Sequence, residues 1–390
     1  MWHEKLSIMK QHIHITLVGG QRIPVFVGMP PKEEMDRLVM IHSNESLGDA
    51  RKVAEVVGFE ATEKLEFSSD DVSAMFEKAE EVFERFRNDR VTLNLTGGLK
   101  PWSWALQKAF AKHEDAEFIY VDQNNRVTNI ATLEEREGLP ISITQRFELN
   151  VMEIPRHRNL KDYTQEDIDS IARLEALQKH NYDVFRDLNQ KYEKMNNRRR
   201  ADEVRIKDNK GREHYLAWDK NEHWIEYSIF DKAGKELLEE FTSEHAFQIA
   251  LNYGWFELRT AVELAKNEHA KEVWLDCVFK AQNGGDKNQI DVIADMGAKL
   301  VFVECKTMIH SISDLDKFSK AMRNYSGLGS KGIFVSYSEF NQKLWAEVCE
   351  KCHDSKLQYF NYFKWKKNRC AAEKSLNAVI NRELYKQNSR

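Results

Sequence analysis

Near residue 300 two apolar segments face one another across a short turn, and each carries an acid among its core residues. Gln289-Ile290-Asp291-Val292-Ile293-Ala294 runs into the turn Asp295-Met296-Gly297-Ala298 and returns as Lys299-Leu300-Val301-Phe302-Val303-Glu304-Cys305-Lys306. Side chains alternate along a strand, so Glu304 and Lys306 share one face and Cys305 takes the other. If the turn pairs Ala294 with Lys299, Asp291 falls opposite Phe302, on the face of Glu304 and diagonal to it, roughly 7–8 Å away at Cα. A one-residue slip would turn Asp291 to the wrong face. Two carboxylates and an ammonium gathered on a buried strand pair are unfavourable unless they are paired or hold a metal.

Phosphodiester hydrolysis calls for such a trio. Oxygen donors hold a hard divalent ion, Mg2+ or Mn2+, which neutralises the scissile phosphate and acidifies a bound water. An ammonium beside it orients that water or stabilises the developing charge. Glu257, in Trp255-Phe256-Glu257 on a helix that opens this region, is a candidate third carboxylate. The short Glu-x-Lys pattern carries little by itself, since Asp208-Asn209-Lys210 and Asp354-Ser355-Lys356 match it too. An ordinary ion-paired hairpin is the competing reading.

The beginning of the chain alternates strand and helix patterns. His12–Val18, Arg37–His42, Arg90–Leu95 and Glu117–Val121 read as strands; Val72–Arg87 and Trp102–Lys112 read as helices. This alternation predicts a mostly parallel, Rossmann-like sheet. Residues from Asn159 to Arg200 read as helical, and 203–242 as short antiparallel strands. The last third supplies a helix over Trp255–Asn267, a strand over Glu272–Phe279, a polar loop over Gln282–Asn288, the hairpin, and a strand at Gly332–Ser336. The expected domains are 1–150, a connector over 151–245, and 246–390. A length of 390 residues and an apolar content of 42% agree with several buried cores. A net charge of −5 argues against a protein held on nucleic acid by global charge, while leaving local basic grooves open. No apolar run nears the roughly 18 residues of a membrane span, no signal peptide is visible, and five cysteines read as free thiols. The expectation is a soluble cytoplasmic protein with no membrane association.

A second informative stretch is Leu93-Asn94-Leu95-Thr96-Gly97-Gly98-Leu99-Lys100-Pro101. A strand end, two glycines and a helix start make an anion cradle, in which backbone amides and the helix N-terminus meet negative charge. It is neither a Walker A loop nor a GxGxxG fingerprint, and a mere tight turn is its competing reading.

Helix Trp255-Phe256-Glu257, then Gln289-Ile290-Asp291-Val292, then Val303-Glu304-Cys305-Lys306-Thr307, in that order, resembles the PD-(D/E)xK domain of the CARF-domain nucleases that accompany type III CRISPR systems. The resemblance implies a C-terminal α/β/α restriction-endonuclease-like fold and makes Asp291 and Glu304 the metal ligands. Cys305 would lend its backbone carbonyl, Lys306 would be the catalytic lysine and Glu257 the helix acid, with Lys331 in support. Thr96-Gly97-Gly98-Leu99-Lys100 resembles the Thr-Gly-Gly-x-Lys signature of CARF domains, which have a Rossmann-like fold, dimerise, and bind cyclic oligoadenylate between subunits. Contacts to that activator are implied for Thr96, Gly97, Gly98 and Lys100. Loops after the first two strands would add Gly20, Gln21, Arg22, Ser43, Asn44 and Glu45. Leu99 stands where family members often have Thr. The implied function is a homodimeric, metal-dependent endonuclease activated by cyclic oligoadenylate, with cyclic tetra-adenylate the expected ring. Its implied substrates are single-stranded DNA or RNA, or duplex DNA by nicking.

Other features weigh less. Cys349-Glu350-Lys351-Cys352-His353 lacks an obvious four-ligand zinc set, with only Cys370 nearby, and its helical pattern favours plain thiols. His12 and His14 read as the exposed face of the first strand. The basic, aromatic C-terminal segment (Lys364, Trp365, Lys366, Lys367, Arg369) fits either single-strand binding or a solvated helix. Two competing functions remain at this level: an ungated restriction- or repair-type nuclease, and a ligand-sensing nucleic-acid-binding regulator supported by Arg198-Arg199-Arg200.

Overall fold

A computed structural model gives the fold; it describes residues 10–195, 200–251, 253–280, 286–309, 312–325, 330–337, 342–362 and 375–385. The chain divides into two compact units, residues 1–154 and 155–390. The start of the chain, most of the basic run near Arg198 and most of the C-terminal basic segment with Cys370 lie outside the described residues.

In the first unit, a seven-stranded sheet has the order β3-β2-β1-β4-β5-β6-β7. Its strands are β1 (His12–Leu17), β2 (Arg37–His42), β3 (Thr62–Glu66), β4 (Arg90–Asn94), β5 (Ala116–Val121), β6 (Arg126–Asn129) and β7 (Glu135–Glu137). The first five run parallel, and β6 and β7 return antiparallel at one edge. Helices α1 (Arg22–Val27), α2 (Leu47–Val57), α3 (Val72–Phe86), α4 (Lys100–Ala109) and α5 (Ile143–Leu149) complete the layers. Ile13, Ile15 and Leu17 of β1 join a core with Met75, Ala79 and Val82 of α3 and Leu106 of α4. Leu38 and Met40 of β2 meet α1 and α2 through Val25, Ala50 and Val53. Two apolar faces therefore cover a central sheet, as the strand and helix alternation requires. The expectation of an exposed histidine face fails here. β1 is a central strand, and His14 is 0% exposed.

The second unit begins with β8 (Arg156–Asn159) and two helices, α6 (Gln165–His180) and α7 (Tyr182–Met195). Thr164 caps α6 with a reciprocal box, its side chain taking the Asp167 amide while Asp167 takes the Thr164 amide. An antiparallel sheet follows, of β9 (Ala201–Lys207), β10 (Glu213–Asp219), β11 (Trp224–Phe230) and β12 (Glu236–Phe241). Then come the short α8 (Ala246–Ala250), α9 (Gly254–Ala265), β13 (Glu272–Lys280), β14 (Asp286–Asp295) and β15 (Leu300–Lys306). α10 (Ser313–Tyr325), β16 (Lys331–Ser336), α11 (Gln342–Asp354), β17 (Gln358–Asn361) and a last helix, Leu376–Tyr385, close the unit. Asp286, Lys287 and Asn288, expected in a polar loop, belong to β14, because pairing with β13 extends the hairpin arm.

The six strands order as β17-β16-β15-β14-β13-β8. Val301, Val303, Ile333 and Val335 point into one core with Phe256, Leu258 and Ala261 of α9. On the opposite face Phe334 meets Phe318 of α10, ring centroids 6.4 Å apart. Helices on both faces of the mixed sheet make an α/β/α layer arrangement. The same core takes in Leu174 and Leu177 of α6, Phe185 and Leu188 of α7, and Leu216, Trp218 and Tyr227 of the antiparallel sheet. Among the described residues no helix is long and apolar enough to cross a membrane.

Candidate active site and ligand crevice

The hairpin register differs from the one the turn suggests. Asp295 pairs with Leu300, Ala294 with Val301, Ile293 with Phe302 and Val292 with Val303. Ala294 thus stands opposite Val301 rather than Lys299, and Asp291 falls level with Glu304 rather than Phe302. A shift of two residues keeps the parity, so every side chain stays on its expected face. The ladder then ends. The next amide, that of Cys305, donates to Asp291 Oδ2 at 2.7 Å. Beyond this point β14 continues with β13 alone and β15 with β16 alone. Asp291, Glu304 and Lys306 are thus brought together where two strands part.

Lys306 Nζ donates to Glu304 Oε1 at 2.6 Å and lies 3.9 Å from Asp291 Oδ2. Cys305 turns the other way and is buried in the core. Burial pushes the Asp291 carboxyl up, against the pull of Lys306 and the Cys305 amide. Glu304 is pushed up to about 7, by burial first and the Asp291 charge second. Burial raises Glu257 well above the usual carboxyl range, and Asp291 adds to the effect. Burial alone would lower the Lys306 ammonium; the charges of Asp291 and Glu304 outweigh it and hold it above its ordinary value. One ammonium thus faces one buried and two half-buried acids, a charge deficit that a further cation would relieve. Carboxylate and carbonyl oxygens suit a hard divalent ion. Among the described residues, no group of three or more His, Cys, Asp or Glu side chains converges as a ready-made metal site. Two carboxylates, a backbone carbonyl and water is the coordination these residues fit.

Residues that the sequence did not single out stand around this trio. Asp276 of β13 has φ +52°, and the register passes from Leu275–Val292 to Cys277–Ile290 around it. Its charge adds to the upward shift of Asp291, while Gln289 Nε2 donates to it at 2.7 Å and Arg158 lies 3.7 Å away. Tyr337 donates its amide to the Lys306 carbonyl at 3.1 Å and its hydroxyl to Glu175 of α6 at 2.7 Å. Arg259 of α9 lies 3.0 Å from the same Glu175. A cavity of about 280 Å³ opens beside Lys306 and Glu257, and its far wall is Tyr182, Arg186 and Gln190 of α7. No local motif marks these residues, since they reach the trio only through the tertiary fold. Lys331 pairs with Val301, at the opposite end of β15 from Lys306, roughly 16 Å along the strand. It does not join the trio as the resemblance implied. Cys349 is exposed and Cys352 buried, both on α11 and neither in a disulfide.

The second candidate site lies in the first unit, at the carboxyl ends of β1, β2 and β4. Neighbouring β1 and β4 lead to opposite sides of the sheet, the switch point at which open α/β sheets bind ligands. Gly97 passes so close to β1 that a Cβ there would lie 2.0 Å from the Leu17 carbonyl oxygen. Gly98 has φ +65°, and Gly19 abuts its backbone. Thr96 Oγ1 donates to Asn94 Oδ1 at 2.7 Å and accepts from the Val121 amide at 2.7 Å, so its hydroxyl ties the loop to β4 and β5. α4 then starts with Lys100 exposed, Pro101 in its first turn and no side-chain cap, leaving its N-terminus open to an anion. Gly20, Gln21, Asn44 and Glu45 are exposed around the crevice. Arg22 instead binds Asp49 at 2.6 Å and the Leu149 carbonyl, and Ser43 and Ser46 bind one another's amides. These two therefore shape the loops.

Residues 13–153 match the family model for the Card1 CARF domain. Among solved structures, protein VC1899 from Vibrio cholerae superposes with a TM-score of 0.70 at 14% identity, over 96% of this chain and 98% of its own. Can2 from Sulfobacillus thermosulfidooxidans, solved in complex with cyclic tetra-adenylate, gives 0.61 at 15% identity, over 89% and 95%. A type III CRISPR defence DNA nuclease activated by cyclic oligoadenylate gives 0.50 at 14% identity, over 84% of this chain and 46% of its own. No curated protein sequence matches the chain. At these identities the likeness is one of fold.

Proposed function

Because its N-terminal unit is a CARF domain, we propose that the chain is a type III CRISPR effector nuclease, switched on by cyclic oligoadenylate. The activator binds at the crevice formed by Gly20, Gln21, Asn44, Glu45, Thr96–Gly98 and Lys100, and a second copy of the chain completes the groove. That Can2 was solved with cyclic tetra-adenylate supports this ring as the first to test.

The observation that carries the catalytic half is the Lys306 ammonium held between Glu304 and Asp291, with Glu257 half-buried beside them. Mg2+ or Mn2+ held by Asp291, Glu304 and the Cys305 carbonyl would supply charge neutralisation at a phosphodiester and a more acidic water. Lys306 stays protonated at any working pH and aims its donors at the attacking water or at the oxygens that gain charge. Glu304 and Glu257 are both pushed upward by burial and by the Asp291 charge, so cation binding would favour their ionised forms and release protons. Tyr337, anchored to Glu175, fixes the backbone from which Lys306 projects. The substrate is a nucleic acid: single-stranded DNA or RNA, or duplex DNA that is nicked.

The test incubates the full chain with labelled single strands and with supercoiled plasmid, with and without cyclic tetra-adenylate and Mn2+. Cleavage is expected only when both are present. Glu304→Gln is expected to abolish cutting while calorimetry shows unchanged activator binding. Equal cutting without the activator overturns the gating, and an active Glu304→Gln overturns the site.

A further inference from the structure

The cavity beside Lys306 has aromatic walls that hydrolysis of a phosphodiester does not require. On one side are Glu257, Lys306 and Thr307; on the other are Tyr182 and Arg186 of α7, with Tyr253 just ahead of α9. Tyr182 donates its hydroxyl to Met308 Sδ at 3.6 Å and is hydrogen-bonded to Tyr253, so the two rings are fixed relative to each other. Tyr253 holds φ +64°, a left-handed conformation unfavourable for so large a side chain. The next residue is held close to the preceding turn, since a Cβ at Gly254 would lie 2.0 Å from the Gln248 carbonyl oxygen. Arg186 sits over the Tyr182 ring, 5.8 Å from its centroid, and is paired to Asp183 at 3.2 Å and Asp187 at 2.9 Å. Both carboxylates are substantially exposed, so these pairs are solvent-screened and readily exchanged for a phosphate.

We propose that this cavity receives one unstacked base of a single strand, next to the scissile phosphate. Tyr182 and Tyr253 form its walls, and Arg186 takes an adjoining phosphate. The proposal rests on the nuclease reading above and names its substrate site. A volume of about 280 Å³ lies just below the range of drug-sized ligand pockets and suits a fragment the size of a base. Every base offers a π face, so such a wall accepts any sequence. A paired base would first have to leave its stack. The cavity therefore selects single strands over duplex, by the difficulty of unstacking and not by reading sequence.

The test uses the full chain with cyclic tetra-adenylate, in EDTA so that nothing is cut. Fluorescence anisotropy follows a labelled twelve-residue oligothymidylate and variants with one abasic residue moved along it. Wild type is expected to lose on the order of tenfold in affinity for one abasic position and little at the others. Tyr182→Ala is expected to bind the whole series alike, at the weaker value, while Tyr182→Phe keeps the single sensitive position and shows that the fold is intact. Arg186→Gln should lower the salt dependence by about one ion while leaving that position sensitive. A wild type indifferent to every abasic position overturns the proposal, as does a Tyr182→Ala that keeps the sensitive one. Cutting by the metal-loaded chain is scored separately. Cleavage without positional sensitivity removes the base pocket and keeps the nuclease; sensitivity without cleavage does the reverse.

Discussion

Lys306 donates to Glu304 Oε1 at 2.6 Å, in a site that also holds the buried Asp291 and the half-buried Glu257. One cation serves three acids, so the metal-free site works against stability. Removing the Glu304 charge relieves repulsion, and Gln retains an acceptor for Lys306. Glu304→Gln is therefore expected to raise the metal-free thermal midpoint, by about 1 kcal/mol or a few degrees. Lys306→Met takes away the only ammonium of the trio and should lower it by about 1–3 kcal/mol. Thermal denaturation in EDTA separates the two, and equal losses in both variants would show that the acids do not repel.

The crevice allows packing to be separated from ligand contact. At Gly97 a Cβ would overlap the Leu17 carbonyl oxygen at 2.0 Å, so Gly97→Ala must displace either the loop or β1. It is expected to cost about 2 kcal/mol of stability and to abolish activator binding. Lys100 is exposed at the start of α4. Lys100→Ala should leave the melting curve unchanged and weaken cyclic tetra-adenylate by about tenfold, the order expected for one charge-assisted contact. Calorimetry on both variants checks this, and unaltered affinity in Lys100→Ala would remove that residue from the site.

Period and order made much of this fold readable. The apolar alternation of Ile13–Leu17 and Val91–Leu93 and the apolar run Leu38–Ile41 mark central strands, and the stripe Met75, Ala79, Val82, Phe86 marks α3. β3 and β12 are less visible because their side chains are half exposed and polar, Thr62-Glu63-Lys64 and Glu239-Glu240 among them. Parity alone put Asp291, Glu304 and Lys306 on one face, and it survived a turn set one residue later than supposed, which shifts the pairing by two. What the turn misstated was distance: level with Glu304, Asp291 is nearer than a diagonal pairing allows. Asp276, Tyr337, Arg186 and Tyr182 were beyond local reading. Each reaches the trio through a bulge, a strand end or a helix more than a hundred residues away, and no spacing rule encodes that approach.

His14 was read as exposed because a polar residue in an apolar strand usually faces solvent, yet it lies at the middle of the central strand with both ring nitrogens unpartnered. Burial, with lesser contributions from His12 and Arg136, lowers it to about 3 from an ordinary value near 6.5. The folded state therefore excludes a proton that the unfolded chain binds between those two values. The neutral imidazole's contribution is complete above pH 6.5 and is lost as pH falls toward 3, at about 1.4 kcal/mol per pH unit. His14→Leu removes both the proton and the unpartnered nitrogens, so it should match or exceed wild-type stability at pH 7.5. Urea titrations from pH 7.5 to 4.5 are expected to show the gap between variant and wild type widening steadily below pH 6.5. A constant gap would mean that His14 finds a hydrogen-bond partner that lets it charge in the folded state.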